Sequence, residues 1–184
     1  TAARHGIWLF MGSRAVKTHK DYGRFANRQF LISPQGKIID HYDKIHMFDV
    51  DVTPDETYRE SDGYRPGDRA VLADTPFGRI GMTICHDVRF GYLHRALAKA
   101  GAEILTVPAA FSAVTGDAHW HALLQARAIE TGCYVLAPAQ TGQHPTSSGG
   151  SRQTYGHSLV VAPWGEVLVD AGTEPGVTYV DLDM

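Results

Sequence analysis

The sequence is poor in the features that mark several large protein classes. It has only two cysteines, Cys85 and Cys133. They could close one disulfide at most, and both stand in apolar, strand-like runs, so the chain reads as one with free thiols in a reducing, cytoplasmic compartment. Long hydrophobic runs are also missing. IWLFM near the start and SLVVAPW near the end fall well short of the ~20 apolar residues that span a bilayer, and no basic-then-apolar signal pattern occurs. A soluble protein without membrane association is expected. The 17 Lys and Arg do not exceed the 20 Asp and Glu, and the formal net charge is -3. Nucleic-acid binding by counterion release therefore has no electrostatic support. No glycine-rich phosphate loop follows a strand, which excludes a nucleotide-binding doubly wound domain, and no CxxC or HExxH pattern suggests a metal.

What the sequence does hold is the composition of a globular domain, with 43% hydrophobic, 20% charged and 10% aromatic residues among 184. A chain of this size buries roughly 70% of its unfolded surface and needs no staples. There is no internal repeat and no interdomain linker, so a single domain is expected.

The run from Ile7 to Ser13 reads as a strand buried on both faces. Asn27 to Ser33 and Lys37 to Tyr42 read as a hairpin joined by Pro34-Gln35-Gly36. Residues 43–69 lack clear periodicity and read as a long polar loop, a kind of segment that is often functional. A second hairpin, Ala70 to Asp74 and Arg79 to Cys85, leads to an amphipathic helix from Tyr92 to Ala100, with Leu93, Ala96, Leu97 and Ala100 on one face and Gly101 as its stop. Then come a strand Glu103 to Val107, a loop through Phe111 and Gly116, a helix His119 to Thr131 stopped by Gly132, and a strand Cys133 to Ala139. A Gly/Ser-rich loop, Gly142 to Ser151, precedes strands Ser158 to Ala162, Val167 to Ala171 and Val177 to Asp181. This alternation argues for α/β layering.

Cys85 stands where a strand hands over to a helix, a position that exposes a side chain at a sheet's carboxyl edge beside backbone N–H donors. The alternative is an ordinary buried thiol, which is the reading for Cys133. Lys44 and Glu60, in the polar loop, offer a cation and a carboxylate that could support a thiolate. By spacing alone Lys44 reads as a solvated surface charge. His119 and His121 point apart on a helix and do not chelate one ion together, and adjacent Cys85 and His86 diverge too, so no metal and no cofactor are expected. His86 is better placed as a pocket wall or as a backbone oxyanion donor. Asp87 and Arg89 read as a local ion pair.

Taken together, NRQFLISPQGKIIDHYDKIHMFDVDV, YRESDGYRPGD, TPFGRIGMTICHDVRF, AHWHALLQARAIETGCYVLAPAQ and YGHSLVVAPWGEV resemble, in order, blocks of the nitrilase superfamily of carbon–nitrogen hydrolases. Within it they are most similar to the branch of deaminated-glutathione amidase and omega-amidase. The resemblance implies an α/β fold, the four-layer α-β-β-α sandwich. It implies that residues 1–184 are one carbon–nitrogen hydrolase domain without its N-terminal strand-helix unit and its C-terminal arm. It implies a Glu-Lys-Cys triad in which Cys85 is the nucleophile, Lys44 the catalytic lysine and Glu60 a further catalytic glutamate that orients Lys44 or helps the deacylating water.

The base glutamate of the triad matches no residue here and is expected upstream of Thr1, so residues 1–184 alone should turn over little or no substrate. His86, Phe111 and His121 are the expected oxyanion and substrate-binding residues. His86 stands where the family has tyrosine and His121 where it has glutamate, and a charge on His121 would repel Lys44. The implied activity is hydrolysis of a small ω-amide, deaminated-glutathione-like or an α-keto-amide, with release of ammonia. The implied partners are that small-molecule amide and a second copy in a homodimer packed through a helical face. The rival from another class is a non-catalytic relative that serves as a binding module.

Overall fold

The computed structural model describes residues 1–18, 23–54, 56–145 and 150–184. A single helical turn, α1 (Ala2–His5), ends at Gly6 with φ 63 and leads into strand β1 (Leu9–Val16). Burial on both faces is not found there. Trp8 and Phe10 lean on the core, but the residues of β1 are half-buried or exposed, because only one face of the strand has a layer against it. β1 pairs antiparallel with β2 (Phe25–Ile32), which pairs antiparallel with β3 (Ile38–Asp43). The expected hairpin turn forms: the Ser33 N–H donates to the Lys37 carbonyl at 2.9 Å, and Gly36 takes the φ of 78 that glycine permits.

The segment 43–69 is not the structureless loop its composition suggests. It folds as a hairpin of β4 (Asp49–Thr53) and β5 (Glu56–Arg59), one turn α2 (Glu60–Gly63), and β6 (Tyr64–Arg65), which runs parallel to β2. Strands this short, with exposed acidic residues alternating with half-buried ones, carry too few apolar positions for a period-2 signal.

A larger sheet follows. β7 (Val71–Thr75) and β8 (Gly78–Met82) form the second expected hairpin. A 3-10 turn, Cys85–Arg89, then leads to α3 (Gly91–Lys99), β9 (Ile104–Thr106), α4 (Ala113–Thr131) and β10 (Tyr134–Ala137). β8, β9 and β10 lie parallel, joined by the crossovers through α3 and α4. β11 (Thr141–Pro145) and β12 (Ser151–Tyr155) make a separate hairpin, and β13 (Leu159–Val161) and β14 (Val167–Asp170) extend the large sheet to the order β14-β13-β10-β9-β8-β7.

Three boundaries differ from expectation. α4 begins at Ala113 rather than His119. Gly116 masks its first turn as a breaker, yet this glycine is required by packing, because a Cβ there would stand 2.4 Å from Tyr155 Cβ. Gly142 to Ser151 is not all loop: its flanks are β11 and the first residue of β12, paired by register from Thr141–Tyr155 to Pro145–Ser151, while residues 146–149 lie outside the described residues. Val177 to Asp181 forms no strand. Val177 and Tyr179 are 79% and 87% exposed, so the run finds no sheet edge to complete it.

Two cores hold the layers together. Leu31 and Tyr42 of the small sheet meet Val71, Ala73, Met82 and Ile84 between the two sheets. On the other face of the large sheet, Leu105, Val135 and Val161 pack against Leu93, Leu97, Trp120 and Leu124 of α3 and α4. Thus β9, buried at every residue, is covered on both faces. The described residues build helix layer, sheet and sheet in succession, as the α-β-β-α sandwich requires. This stacking brings the carboxyl ends of β8 and β9 toward the polar end of β3 and the hairpin beyond it.

Candidate active site

Cys85 is the first residue past the extended Ile84, and its backbone turns left-handed with φ 49. A side chain in that region strains the backbone by about 1–3 kcal/mol and persists only where the surroundings hold it. Here they do. The Cys85 N–H donates to the Pro108 carbonyl at 3.0 Å. The fully buried Asp87 carboxylate accepts the Ile84 N–H at 2.9 Å and the Tyr42 hydroxyl at 2.8 Å on one oxygen, and the His46 N–H and Nδ1 at 3.1 and 2.6 Å on the other. The turn that carries the thiol is therefore bolted to β3 and to the residues just past it. Burial and the neighbouring Asp87 charge push the Tyr42 hydroxyl far up, so Tyr42 stays a protonated donor.

Lys44 is 2% exposed and its Nζ donates to Glu60 Oε2 at 2.5 Å. The same oxygen accepts the Phe48 N–H at 2.7 Å, and Asn27 Nδ2 donates to Oε1 at 3.0 Å. The backbone of Lys44 is equally fixed: its N–H donates to the Asn27 carbonyl and its carbonyl accepts from Gly67. A buried ammonium needs such a partner. Here the carboxylate and the lysine come from opposite ends of the segment read as a loop.

These groups share one cleft of about 330 Å³, lined among others by Lys44, Glu60, Cys85, Phe48, Tyr58 and Arg152. The Arg152 guanidinium lies 5.1 Å from the Tyr58 ring centre and donates to the Ala110 carbonyl. Arg59 also lines the cleft. A larger apolar cleft of about 740 Å³, between β10, β13 and residues 174–180, contains neither cysteine nor lysine. The smaller one carries the chemistry.

The remaining expected residues divide. His86 and Phe111 line a small cavity beside Cys85 with Phe48 and Ser112. The His86 ring lies edge-on to Phe48 and Phe90. Burial, reinforced by the Lys44 and Arg89 charges, pushes its pKa down to about 4, so it stands neutral as a pocket wall. Phe111 also packs on Trp120.

His121 does not join the group. It points to Asp170 and His157, with Nε2 3.0 Å from the Asp170 carboxylate, because its position on α4 faces β14 and not the cleft. The expected Asp87–Arg89 pair is also absent: Asp87 spends both oxygens elsewhere, and Arg89 lies over Phe111 with His119 beside it. No local pattern marks the partners that Asp87, His46, Asn27 and Arg152 find here. Their roles depend on which strands become neighbours.

The family model for carbon–nitrogen hydrolase matches residues 1–184. Among curated relatives, the deaminated glutathione amidase of Yersinia enterocolitica is 48% identical over 168 residues, covering 91% of this chain and 57% of that protein. Among solved structures, the Caenorhabditis elegans NitFhit protein superposes with a TM-score of 0.84 at 42% identity, over 93% of this chain and 41% of that one. An amidase from Nesterenkonia, solved as a mutant with acrylamide added at its active-site cysteine, matches with a TM-score of 0.79 at 26% identity, over 99% of this chain and 65% of that one. The chain thus spans about two fifths to two thirds of the lengths of the proteins it resembles.

Proposed function

The chain belongs to the carbon–nitrogen hydrolase family, and on that premise we propose that the protein is a cysteine-dependent amidase that releases ammonia from a small ω-amide. The observation that carries this reading is the meeting of a strained Cys85 with the buried Lys44–Glu60 pair in one cleft. In this reading the Cys85 thiolate attacks the amide carbon and the carbonyl electrons move to oxygen. Lys44 and the backbone N–H of His86 stabilise that oxyanion. Collapse expels the nitrogen, which takes a proton and leaves as ammonia. Water then adds to the thioester and displaces the thiolate. Glu60 pairs with Lys44 and aims it into the cleft. The role of base belongs to a glutamate that the family resemblance puts upstream of Thr1, and none of the carboxylates here is assigned to it.

Arg152 and Arg59 favour an acyl group that ends in a carboxylate, as a deaminated-glutathione-like or α-keto-amide substrate does. We read residues 1–184 as part of a single carbon–nitrogen hydrolase domain. The helical face, where Tyr92 and Ile129 are 67% and 61% exposed, is assigned to a homodimer contact. No helix among the described residues is long and apolar enough to cross a membrane. The two free cysteines support a cytoplasmic setting. The rival binding-module reading leaves the buried lysine and the strained thiol without a purpose.

Ammonia release from an ω-amide acid by the full-length protein, which supplies the base glutamate, and by its Cys85→Ala variant tests the proposal. Loss of about 10³-fold or more is expected. An unchanged rate would overturn it. A Cys85 that labels with iodoacetamide no faster than free cysteine at neutral pH would favour the binding module.

A further inference from the structure

A second cluster of reactive side chains lies away from the thiol cleft, where α4 crosses the β13–β14 hairpin. His121 Nε2, His157 Nδ1 and an Asp170 oxygen all lie within 4.8 Å of one another. His121 Nε2 is 3.0 Å from Asp170 Oδ2, and His157 Nδ1 is 2.9 and 3.0 Å from the two carboxylate oxygens. An ion bound at about 2.0–2.1 Å to each donor, with bond angles between 90° and 109°, requires donors about 2.9–3.4 Å apart. The spacing to the carboxylate already falls there. The two imidazole donors lie within 4.8 Å of each other and close in to that range around an ion.

The rings are also held before any ion arrives. His157 has a left-handed backbone, φ 54. Its N–H donates to the Gly172 carbonyl at 2.7 Å, and its carbonyl accepts the Trp120 indole N–H at 2.8 Å. The Tyr155 ring stacks on His157 with centroids 4.5 Å apart and meets His121 edge-on. Asp170 is oriented by the Gly172 N–H at 2.9 Å. The donors come from a helix, a strand end and the bend between β12 and β13, so the site is assembled by the fold and not by one loop. The three side chains are a quarter to a third exposed, which leaves water room to complete the coordination.

We propose that His121, His157 and Asp170 form a binding site for one divalent transition-metal ion of the zinc type, which clasps α4 to the β13–β14 hairpin. Two imidazoles and one carboxylate with an open position form the donor set that zinc and its neighbours accept. Binding replaces the hydrogen bonds that both ring nitrogens now make to Asp170. The site is independent of the amidase reading, since none of its donors lines the thiol cleft.

Calorimetric titration of the chelator-treated protein with Zn²⁺ at pH 7.5 tests this. One ion per chain is expected. Asp170→Asn and His157→Ala should each weaken binding by at least about tenfold, and so should His121→Gln, a helix position about a third exposed. Cys85→Ser should leave binding intact. Substituted Co²⁺ should show a weak visible band without thiolate charge transfer, and Zn²⁺ should raise Tm by about 5 °C or more in excess. Absence of binding, or binding unchanged in all three ligand variants, would overturn the site and leave the triad a hydrogen-bonded ion pair.

Discussion

At the scale of single residues, the candidate site depends on groups that hold others in place. Asp87 satisfies four donors and has no solvent contact. Asp87→Ala should therefore destabilise the protein by about 3 kcal/mol or more by orphaning buried donors, and should lower amidase activity further by releasing the Cys85 turn. Urea unfolding of the variant beside ammonia release measures both.

Two histidines add a pH dependence. Burial first, and nearby cations second, hold His86 at about 4 instead of the ordinary 6.5; burial also holds His94 at about 4, against the opposing pull of its hydrogen bond to Phe90. The unfolded chain takes up protons below pH 6.5 that the folded chain refuses until about pH 4. Stability is therefore lost as pH falls through that window, by about 2 kcal/mol per histidine at pH 5. His94→Leu should reduce the drop between pH 7 and pH 5 by about that amount in urea unfolding.

These residues also show what could be read in advance. The place of Cys85 at a strand-to-helix handover was legible as a local pattern, but that pattern alone left a buried thiol equally open, and the nucleophile role rests on the family resemblance. Lys44 and Glu60 were legible only through family resemblance, since nothing local says that a polar segment will fold its lysine inward. Asp87 was misread as the partner of Arg89 because adjacency in sequence suggested it, whereas its side-chain partners, Tyr42 and His46, come from β3 and the residues just past it.

At the scale of elements, close approaches decide what sequence pattern cannot. The hairpins of the two sheets and helix α3 announced themselves by turn chemistry and periodicity. The start of α4 did not, because Gly116 reads as a stop while serving as a gap for Tyr155. Gly116→Ala should shift α4 off β12 and destabilise the fold by about 1–3 kcal/mol, seen as a lowered Tm. His121 belongs to the same lesson. Its helix position was known, but its direction toward β14 follows from the crossing of α4 over the hairpin, so its expected role in the cleft gave way to a cluster with His157 and Asp170.

At the scale of the molecule, two stacked sheets and one helical layer put the thiol, the lysine and the glutamate of distant segments into one cleft. The layering was foreseeable from alternation and from resemblance, but the run from Val177 to Asp181, apolar enough for a strand, lies exposed without a partner. The proposed dimer makes the helical face a working surface. Ile129→Glu should lower the mass measured by light scattering from dimer to monomer while leaving the far-ultraviolet dichroism unchanged.

The most direct test of the central claim is rapid-quench mass spectrometry of the full-length protein mixed with an ω-amide acid. The account predicts transient addition of the acyl group, the amide less ammonia, on the peptide that contains Cys85. Ammonia release with no adduct on Cys85, or with the adduct on Cys133, would contradict it.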